Sequence, residues 1–456
     1  GGVGGRGAPA GVADIAFRAE PWPEGQPVPE AAGQPTVPVA ADEADQVADN
    51  DADQVTDSDV DADAQDAAPS VPSETDGARE ETGEEAGVDE DTALVIEAPV
   101  TAPADLTIPN TLLNWLGDGA SPIPDAAPEK VLADFDGVTI TVANDAELAD
   151  ALARLGEGSG GRILLVNTGV DYSITGKGLG HASENILITS ADPEDPAIVK
   201  LVDISGAKNL TFDNLQFNGH VDSGSGKVVT IYSSSDIVVS NSLFLGSSNG
   251  FVANTEDNVD TGRGSIMVRL STEVQIIGNE FSHMGGGIGL IDSTGTVVKD
   301  NDLHHLVYDG LQMAGVVDTV IENNVMHDFY YSTQDLNHSD FIQLFSASWN
   351  TMSTENLIIR GNQLINSGGY GSQSIFMRNE DYERGDGERY RNIVVEDNTI
   401  LNGHQNAVFI GDANGVSVAN NTVLWNPDAM IYSTEGAEGG NLMPAIRLNR
   451  VDGATV

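Results

Sequence analysis

The sequence contains no cysteine and few basic residues. Without cysteine the chain forms neither disulfides nor thiolate metal sites, and this absence leaves the cellular compartment open. Lysine and arginine number 20 against 71 aspartates and glutamates, which gives a formal net charge of −51. Because nucleic-acid phosphates are bound by basic surfaces, we predict no nucleic-acid partner.

Long apolar runs are also missing. No stretch of about 18 apolar residues occurs, so the sequence predicts no membrane span. Residue 1 is glycine and no signal peptide is visible, so we expect a processed chain or a piece of a longer protein. Many secreted bacterial proteins are acidic and lack cysteine. We therefore expect a secreted, extracellular bacterial protein, and a monomer.

The first part of the chain has the composition of a disordered tail. Residues 1–105 are poor in aromatics and rich in Ala, Asp, Glu, Pro and Gly, and 41–70 is a low-complexity acidic tract. Such a segment cannot bury enough apolar surface to offset its conformational entropy. A weak calcium-binding tail is the alternative interpretation. An irregular, proline-containing lead-in follows at 106–136, and we expect one ordered domain over 137–456.

Much of the ordered domain is built from short repeats that each contain an asparagine at the third position from the end of the unit as written here. The units read "TEVQIIGNEF", "TGTVVKDNDL", "VDTVIENNVM", "TENLIIRGNQL", "YRNIVVEDNTI" and "ANGVSVANNTV", with the asparagines at Asn279, Asn301, Asn324, Asn362, Asn398 and Asn421. Three neighbouring pairs are 22–23 residues apart. The other two gaps are about 15 residues longer and predict inserted loops near 329–338 and 379–391.

A period near 23 with two or three short strands per unit is typical of an all-β solenoid, the parallel β-helix. An asparagine at one repeated turn would adopt a left-handed backbone conformation, and the stacked asparagines would form a hydrogen-bonded ladder. "DAELADALARL" has helical apolar spacing and an acidic first turn, and predicts an N-terminal capping helix. A propeller would need longer four-stranded units, and a leucine-rich repeat would need a leucine-dense consensus.

A second repeated strand precedes each asparagine unit, for example "DGLQMAG" and "DFIQLFS". Aligned on their inward apolar residues, these strands place one side chain of each on the outer face. The predicted outward row is Thr230, Met267, Gly289, Gln312, Gln343, Phe376, Phe409 and Arg447. Gln312 and Gln343 would be neighbours, roughly 4.8 Å apart at the spacing of stacked strands.

Chemistry-bearing residues concentrate around these two strands. Asp309 and Asp340 would stack at the turn before the glutamines, surrounded by Tyr308, His338 and the loop 329–338. Arg269 lies two coils earlier and Arg378 one coil later. A sheet face with acids, amides, His, Tyr, Arg and Phe suits a long sugar chain. The predicted substrate-binding residues are Gln312, Gln343, Asp309, Arg269 and Phe376.

Each of these features also has a purely structural interpretation. Stacked glutamines form amide ladders, and paired aspartates cap turns. His304, His305 and His327 occupy equivalent places after the asparagine turn, which favours a structural role. His338 breaks the repeat, follows an insertion and stands beside Asp340, which favours a functional role.

The stretches "ITVANDAELADALARLGEGSGGRILLVNTGVDYSI" and "ENILITSADPEDPAIV", together with the coils that follow, resemble secreted right-handed parallel β-helix enzymes. The resemblance is to the pectate-lyase-like superfamily, which includes alginate lyases and mannuronan C5-epimerases, and covers about 137–456. "HSDFIQLF" and the later coils also resemble modules of calcium-binding, type I-secreted bacterial proteins. The Asp-Pro-His motif of the epimerases is absent, and "NHSD" is the nearest acidic-histidine cluster.

The resemblance implies a lyase or C5-epimerase that acts on an acidic, uronate polysaccharide such as alginate. In both reactions a base removes the proton at C5 while the neighbouring carboxylate is neutralised. We expect His338 to act as base or acid with Tyr308 as its partner, and Arg378 and Gln343 to engage the carboxylate. Asp340 would orient His338 or, with Asp309, hold calcium. A glycoside hydrolase using Asp309 and Asp340, and a non-catalytic polysaccharide- or calcium-binding adhesin module, remain open.

Overall fold

The computed structural model describes residues 137–220, 226–246, 263–329, 339–366, 372–426 and 443–456. It also gives the backbone of five short strands, Ile15–Arg18, Glu20–Pro21, Leu94–Val95, Gly369–Tyr370 and Ala429–Met430. Apart from three of these strands, the predicted acidic tail at 1–105 and lead-in at 106–136 lie outside the described residues. None of the helices described is long and apolar enough to cross a membrane.

The described part of 137–456 winds into successive coils, and each coil contributes one strand to each of three parallel sheets. Nearly all strands pair with their equivalents one coil before and after, in parallel register. The predicted parallel β-helix is therefore confirmed. Three strands, Ile198–Ser205, Ile288–Thr294 and Leu311–Glu322, run through a corner and belong to two sheets each.

The three sheets are defined by the following strands. The first sheet contains Tyr172–Lys177, Ile198–Ser205, Lys227–Tyr232, Gly264–Arg269, Ile288–Thr294, Leu311–Glu322, Asp340–Leu344, Gln373–Met377, Asn406–Gly411 and Ala445–Asn449. The second contains Thr139–Val142, Gly161–Leu165, Ile186–Ser190, Lys208–Asp213, Ser235–Ser240, Thr272–Ile277, the end of Ile288–Thr294, Val297–Lys299, the end of Leu311–Glu322, Glu355–Arg360, Tyr390–Glu396 and Ala413–Ala419. The third contains the start of Ile198–Ser205, Gln216–Asn218, Leu243–Leu245, Glu280–Ser282, Asp302–His304, Val325–His327, Gln363–Ile365, Thr399–Asn402 and Thr422–Trp425.

The core lies inside the coils and consists of apolar columns that run along the solenoid axis. On the third sheet, Phe217, Phe244 and Phe281 are fully buried and stack with ring centroids 4.4 and 4.5 Å apart. The inward residues of the first sheet, on which its strands were aligned, are also buried. Each coil therefore covers the apolar surface of its neighbours, and we expect burial to supply most of the stabilisation.

The six repeat asparagines form the predicted ladder inside one corner. Asn301, for example, donates its backbone N–H (3.1 Å) and its Nδ2 (2.9 Å) to Oδ1 of Asn324, and its Nδ2 also donates to the carbonyl of Ile276 (2.9 Å). Five of the six are almost fully buried. The left-handed backbone falls on the residue before each asparagine, such as Asp300 (φ 54°), and not on the ladder residue itself.

The N-terminal coil is closed by the predicted helix, α1 (Asp145–Glu157). Asn144 caps it by accepting the backbone N–H of Glu147 (3.0 Å), and its apolar face is buried. Of the two predicted insertions, the one near 379–391 holds a short helix, α2 (Glu380–Glu383). The sequence pattern predicts the other insertion entirely near 329–338. Its extra residues are in fact divided between that segment and a loop at 345–354, on the two sides of Asp340–Leu344.

Candidate functional site

The outward side chains of the first sheet form one continuous surface, which we call the first-sheet face. Its central row is the one expected from the sequence, because every neighbouring pair is in register. The members are Thr230, Met267, Gly289, Gln312, Gln343, Phe376, Phe409 and Arg447. A row of eight strands spans about 34 Å at the usual strand spacing, which suits a polymer.

The two glutamines occupy the middle of this row. Nε2 of Gln312 lies 3.4 Å from Oε1 of Gln343 and 3.4 Å from Oδ2 of Asp309. Both side chains are half-buried. At these long distances the amides are held only weakly, so their remaining donors and acceptors can bind hydroxyl groups.

A second polar line, the polar edge column, runs along the N-terminal ends of the same strands. Oδ1 of Asp309 accepts the backbone N–H of Asp340 (2.8 Å), and Asp340 accepts Nε2 of Gln373 (3.4 Å). Asn406 donates to Gln373 (2.5 Å) and accepts from Arg447 (3.3 Å). Alternating donors and acceptors hold this edge together over five coils.

The two aspartates expected to hold a metal are adjacent in the polar edge column but differ in exposure. Asp309 is half-buried, whereas Asp340 is 0% exposed. Both carboxylates accept N–H donors, which compete with a cation. Across the described ranges no group of three or more His, Cys, Asp or Glu side chains could hold a metal ion. These two residues alone therefore do not fit a calcium site, which normally takes six to eight oxygen ligands.

Of the expected catalytic cluster, the structure describes Tyr308 and Asp340, while His338 lies outside the described residues. Tyr308 is half-buried, and its backbone N–H donates to the carbonyl of Gly285 (2.8 Å). It directly precedes Asp309, so Tyr308 and Asp340 belong to adjacent coils. The described segment resumes at Ser339, the residue that follows His338 in the sequence.

The two arginines expected to bind substrate lie well apart on the next outward row. Arg269 lies with its guanidinium carbon 5.6 Å from the ring centre of Trp349. Arg378 is half-exposed and forms an ion pair with Glu383 from the loop at 379–391 (2.9 Å). They are separated by the coils of Ile291, Ala314 and Phe345, so one sugar unit cannot contact both.

Aromatic side chains flank the glutamines on both sides. Phe376 stacks on Phe409 with ring centroids 5.1 Å apart, and Phe345 meets Trp349 edge to face at 6.2 Å. Trp349 was not expected from the sequence, because it lies in an insertion that carries no repeat signal. The only hint was a tryptophan among small polar residues in "SASWNT".

The histidines that follow the asparagine turn form a separate stack on the third sheet, in keeping with a structural role. His304 stacks on His327 at 5.1 Å, and His283 stacks on His305 at 4.8 Å. Burial lowers the pKa of His327, but its hydrogen bonds to Asp302 (3.1 Å) and Asp328 (2.7 Å) outweigh burial and raise the pKa to about 9.

The pKa of His305 is shifted in the opposite direction, to a lower value. Burial, the neighbouring His304 and His283, and the more distant His327 lower its pKa to about 4, against a smaller opposing effect of Asp328. The stack therefore contains a protonated and a neutral imidazole at neutral pH.

A family model matches part of the coils. Residues 264–442 match the family model described as a right handed beta helix region. The protein contains a right-handed β-helix. The resemblance inferred from the sequence is thus confirmed for the fold, including its handedness. No curated protein matches the sequence.

Several solved structures resemble this β-helix at low identity. An alginate lyase from Paenibacillus sp. str. FPU-7 is 16% identical, with 69% of this chain and 99% of that chain covered and a TM-score of 0.35. The A-module of the Azotobacter vinelandii mannuronan C-5 epimerase AlgE6 is 15% identical (70% and 84% covered, TM-score 0.45). The Streptococcus pneumoniae surface adhesin PfbA is 15% identical (64% and 89% covered, TM-score 0.38). At these identities and TM-scores the likeness does not decide between catalysis and binding.

Proposed function

We propose that the protein acts outside the cell on an acidic, uronate-containing polysaccharide bound along the first-sheet face. The observation that carries this proposal is the unbroken outward row, in which an amide pair is followed by two aromatic rings and then by Arg447. Amides suit sugar hydroxyls, aromatic rings suit sugar faces, and arginine suits carboxylates. A row several coils long suits a polymer better than a small ligand.

The reaction we propose is removal of the C5 proton of a uronate unit, the step shared by lyases and C5-epimerases. His338 acts as base or acid, Tyr308 is its partner, and Asp340 orients His338. Gln343 and Arg378 neutralise the substrate carboxylate, so that the enolate-like state is stabilised. Since Asp309 and Asp340 do not by themselves fit a calcium site, no step is assigned to a metal.

The test of this assignment is a His338→Ala variant with Thr333→Ala, in the same inserted segment, as its control. We expect His338→Ala to lower turnover of the preferred uronan by at least 100-fold, because a general base or acid contributes about 10²–10⁴-fold. Thr333→Ala should leave turnover unchanged. Full turnover by a folded His338→Ala protein would refute the role of this histidine.

A polysaccharide-binding module without catalysis is the second candidate. It is favoured by one observation: the Asp309 carboxylate is held by the backbone N–H of Asp340, and the Asp340 side chain is fully buried, as in a structural cap. The burial of Asp340 also argues against a glycoside hydrolase, because one of the two carboxylates that it would need is not exposed to water. The binding module predicts affinity for the polymer, and no product under any condition.

A further inference from the structure

Trp349 presents an indole to solvent on the loop 345–354. Its side chain is 50% exposed, which is unusual for a tryptophan that also has ordered neighbours. The guanidinium carbon of Arg269 lies 5.6 Å from the centre of the indole ring. The Phe345 ring meets the indole edge to face, with ring centroids 6.2 Å apart and an interplanar angle of 67°. The ring is therefore fixed on one side and open to a ligand on another.

The loop that carries Trp349 is held in one conformation by a buried carboxylate. Asp292 is 2% exposed, and its Oδ1 accepts the backbone N–H groups of Thr351 (2.9 Å) and Met352 (3.2 Å). At the tip, Asn350 accepts the N–H of Ala347 through its side chain (2.9 Å) and donates its own N–H to the carbonyl of Ala347 (2.8 Å). An indole fixed in this way loses little conformational entropy when a ligand binds.

The surface beneath the indole leaves room for a sugar ring, and the positive charge beside the indole favours a sugar that carries a carboxylate. Ile291 and Ala314 separate Arg269 from Phe345 on the same outward row, and both are buried, so the indole extends over a low part of the first-sheet face. Within the described residues Arg269 forms no ion pair with a carboxylate, and its Nε has no hydrogen-bond partner. Arg378, by contrast, forms an ion pair with Glu383.

We propose that Trp349, Arg269 and Phe345 form a subsite that binds one uronate unit, with the sugar ring on the open part of the indole and its carboxylate attracted by Arg269. The subsite rests on the proposed function, because it belongs to the same first-sheet face. It lies on the N-terminal side of the glutamine pair and makes the protein selective for charged over neutral polymers. Trp349 supplies affinity and Arg269 supplies selectivity.

The experiment compares the whole chain with its Trp349→Ala and Arg269→Gln variants by calorimetric titration. The probes are polymannuronate, polygalacturonate and polyglucuronate oligosaccharides, each also in a form whose carboxyl groups are reduced to alcohols. Trp349→Ala should raise Kd about tenfold for both forms, which corresponds to about 1.4 kcal/mol and lies within the range of aromatic ring contacts. Arg269→Gln should raise Kd only for the charged form and so remove the discrimination. If a probe is turned over, the same changes should appear in KM with kcat unchanged.

Tyr382→Ala is the matched control. Tyr382 is 36% exposed and lies 5.1 Å from the guanidinium of Arg389, the same pairing of ring and arginine on the loop at 379–391. Its substitution should leave Kd unchanged. Equal Kd values for wild type and a folded Trp349→Ala variant would overturn the subsite alone. Failure of the wild type to bind any of the uronans would overturn the subsite and the proposed function together.

Discussion

At the scale of single residues, two carboxylates fix the charge of His327. Its pKa is raised from 6.5 to about 9, so the folded state binds the proton more tightly than the unfolded state does. The resulting stabilisation is complete below pH 6.5 and is lost as the pH rises towards 9. We predict that His327→Gln lowers the free energy of unfolding by on the order of 2 kcal/mol more at pH 6 than at pH 9.5.

Urea unfolding at the two pH values measures this difference. His305→Gln is the internal comparison, because a pKa lowered to about 4 favours the neutral form and makes wild-type His305 destabilising as the pH falls from 6.5 to 4. Its substitution should therefore make the protein relatively more stable at pH 5. Identical pH profiles for wild type and His327→Gln would contradict the described ion pairs.

Leu270 carries backbone strain at a corner of the solenoid. Its φ is 52°, a left-handed conformation that costs about 1–2 kcal/mol for a residue with a Cβ, and its side chain is 37% exposed. Equivalent corners hold Gly206, Ser233 and Asp292, which tolerate the conformation better. We predict that Leu270→Gly raises the free energy of unfolding by about 0.5–1 kcal/mol, measured by urea titration. Val170→Gly, at an exposed loop position with φ below zero, should not stabilise.

At the scale of elements, the asparagine ladder replaces strand pairing at one corner. Asn362 is fully buried; its side chain donates to Asn398, Ile321 and Arg360 and accepts from Asn324. Its substitution leaves several buried groups without partners, at about 1–3 kcal/mol each. We predict that Asn362→Ala lowers the free energy of unfolding by about 3 kcal/mol or more.

The last rung of the ladder provides the control. Asn421 is only half-buried, so water can replace some of the hydrogen bonds that its side chain makes. Asn421→Ala should therefore lower the free energy of unfolding clearly less than Asn362→Ala does in the same assay. Equal costs at the two positions would mean that burial of the ladder does not determine its contribution.

The periodic elements could be predicted from the sequence, and the aperiodic ones could not. Strand alternation and the 22–23-residue spacing determine the coils, the asparagine ladder and the pairing of Gln312 with Gln343, because both periods are written directly in the residues. The second half of the first insertion carries neither period. Its loop, and with it the position of Trp349 over Arg269, depends on a buried contact to Asp292 two coils back along the first sheet.

At the scale of the whole molecule, an acidic protein is proposed to bind an acidic polymer. The described residues resolve part of this conflict locally: the first-sheet face carries Arg269, Arg378 and Arg447 near the glutamine pair, while Asp309 and Asp340 lie in the polar edge column. Charges farther than about 10 Å from this face are largely screened at ordinary ionic strength. The function therefore depends on a few side chains of one face, which neither net charge nor fold could specify.

The central claim is removal of the C5 proton, and the most direct measurement follows that proton. The purified full chain is incubated in D2O with alginate, pectate, glucuronan and neutral glycans, and the products are examined by proton NMR and near-ultraviolet absorbance. We predict that one uronan gains either a conjugated double bond, as for a lyase, or deuterium at C5 with altered anomeric signals, as for an epimerase. Unchanged C5 protons and absorbance in every uronan, with the polymers still bound, would contradict catalysis and leave the binding module.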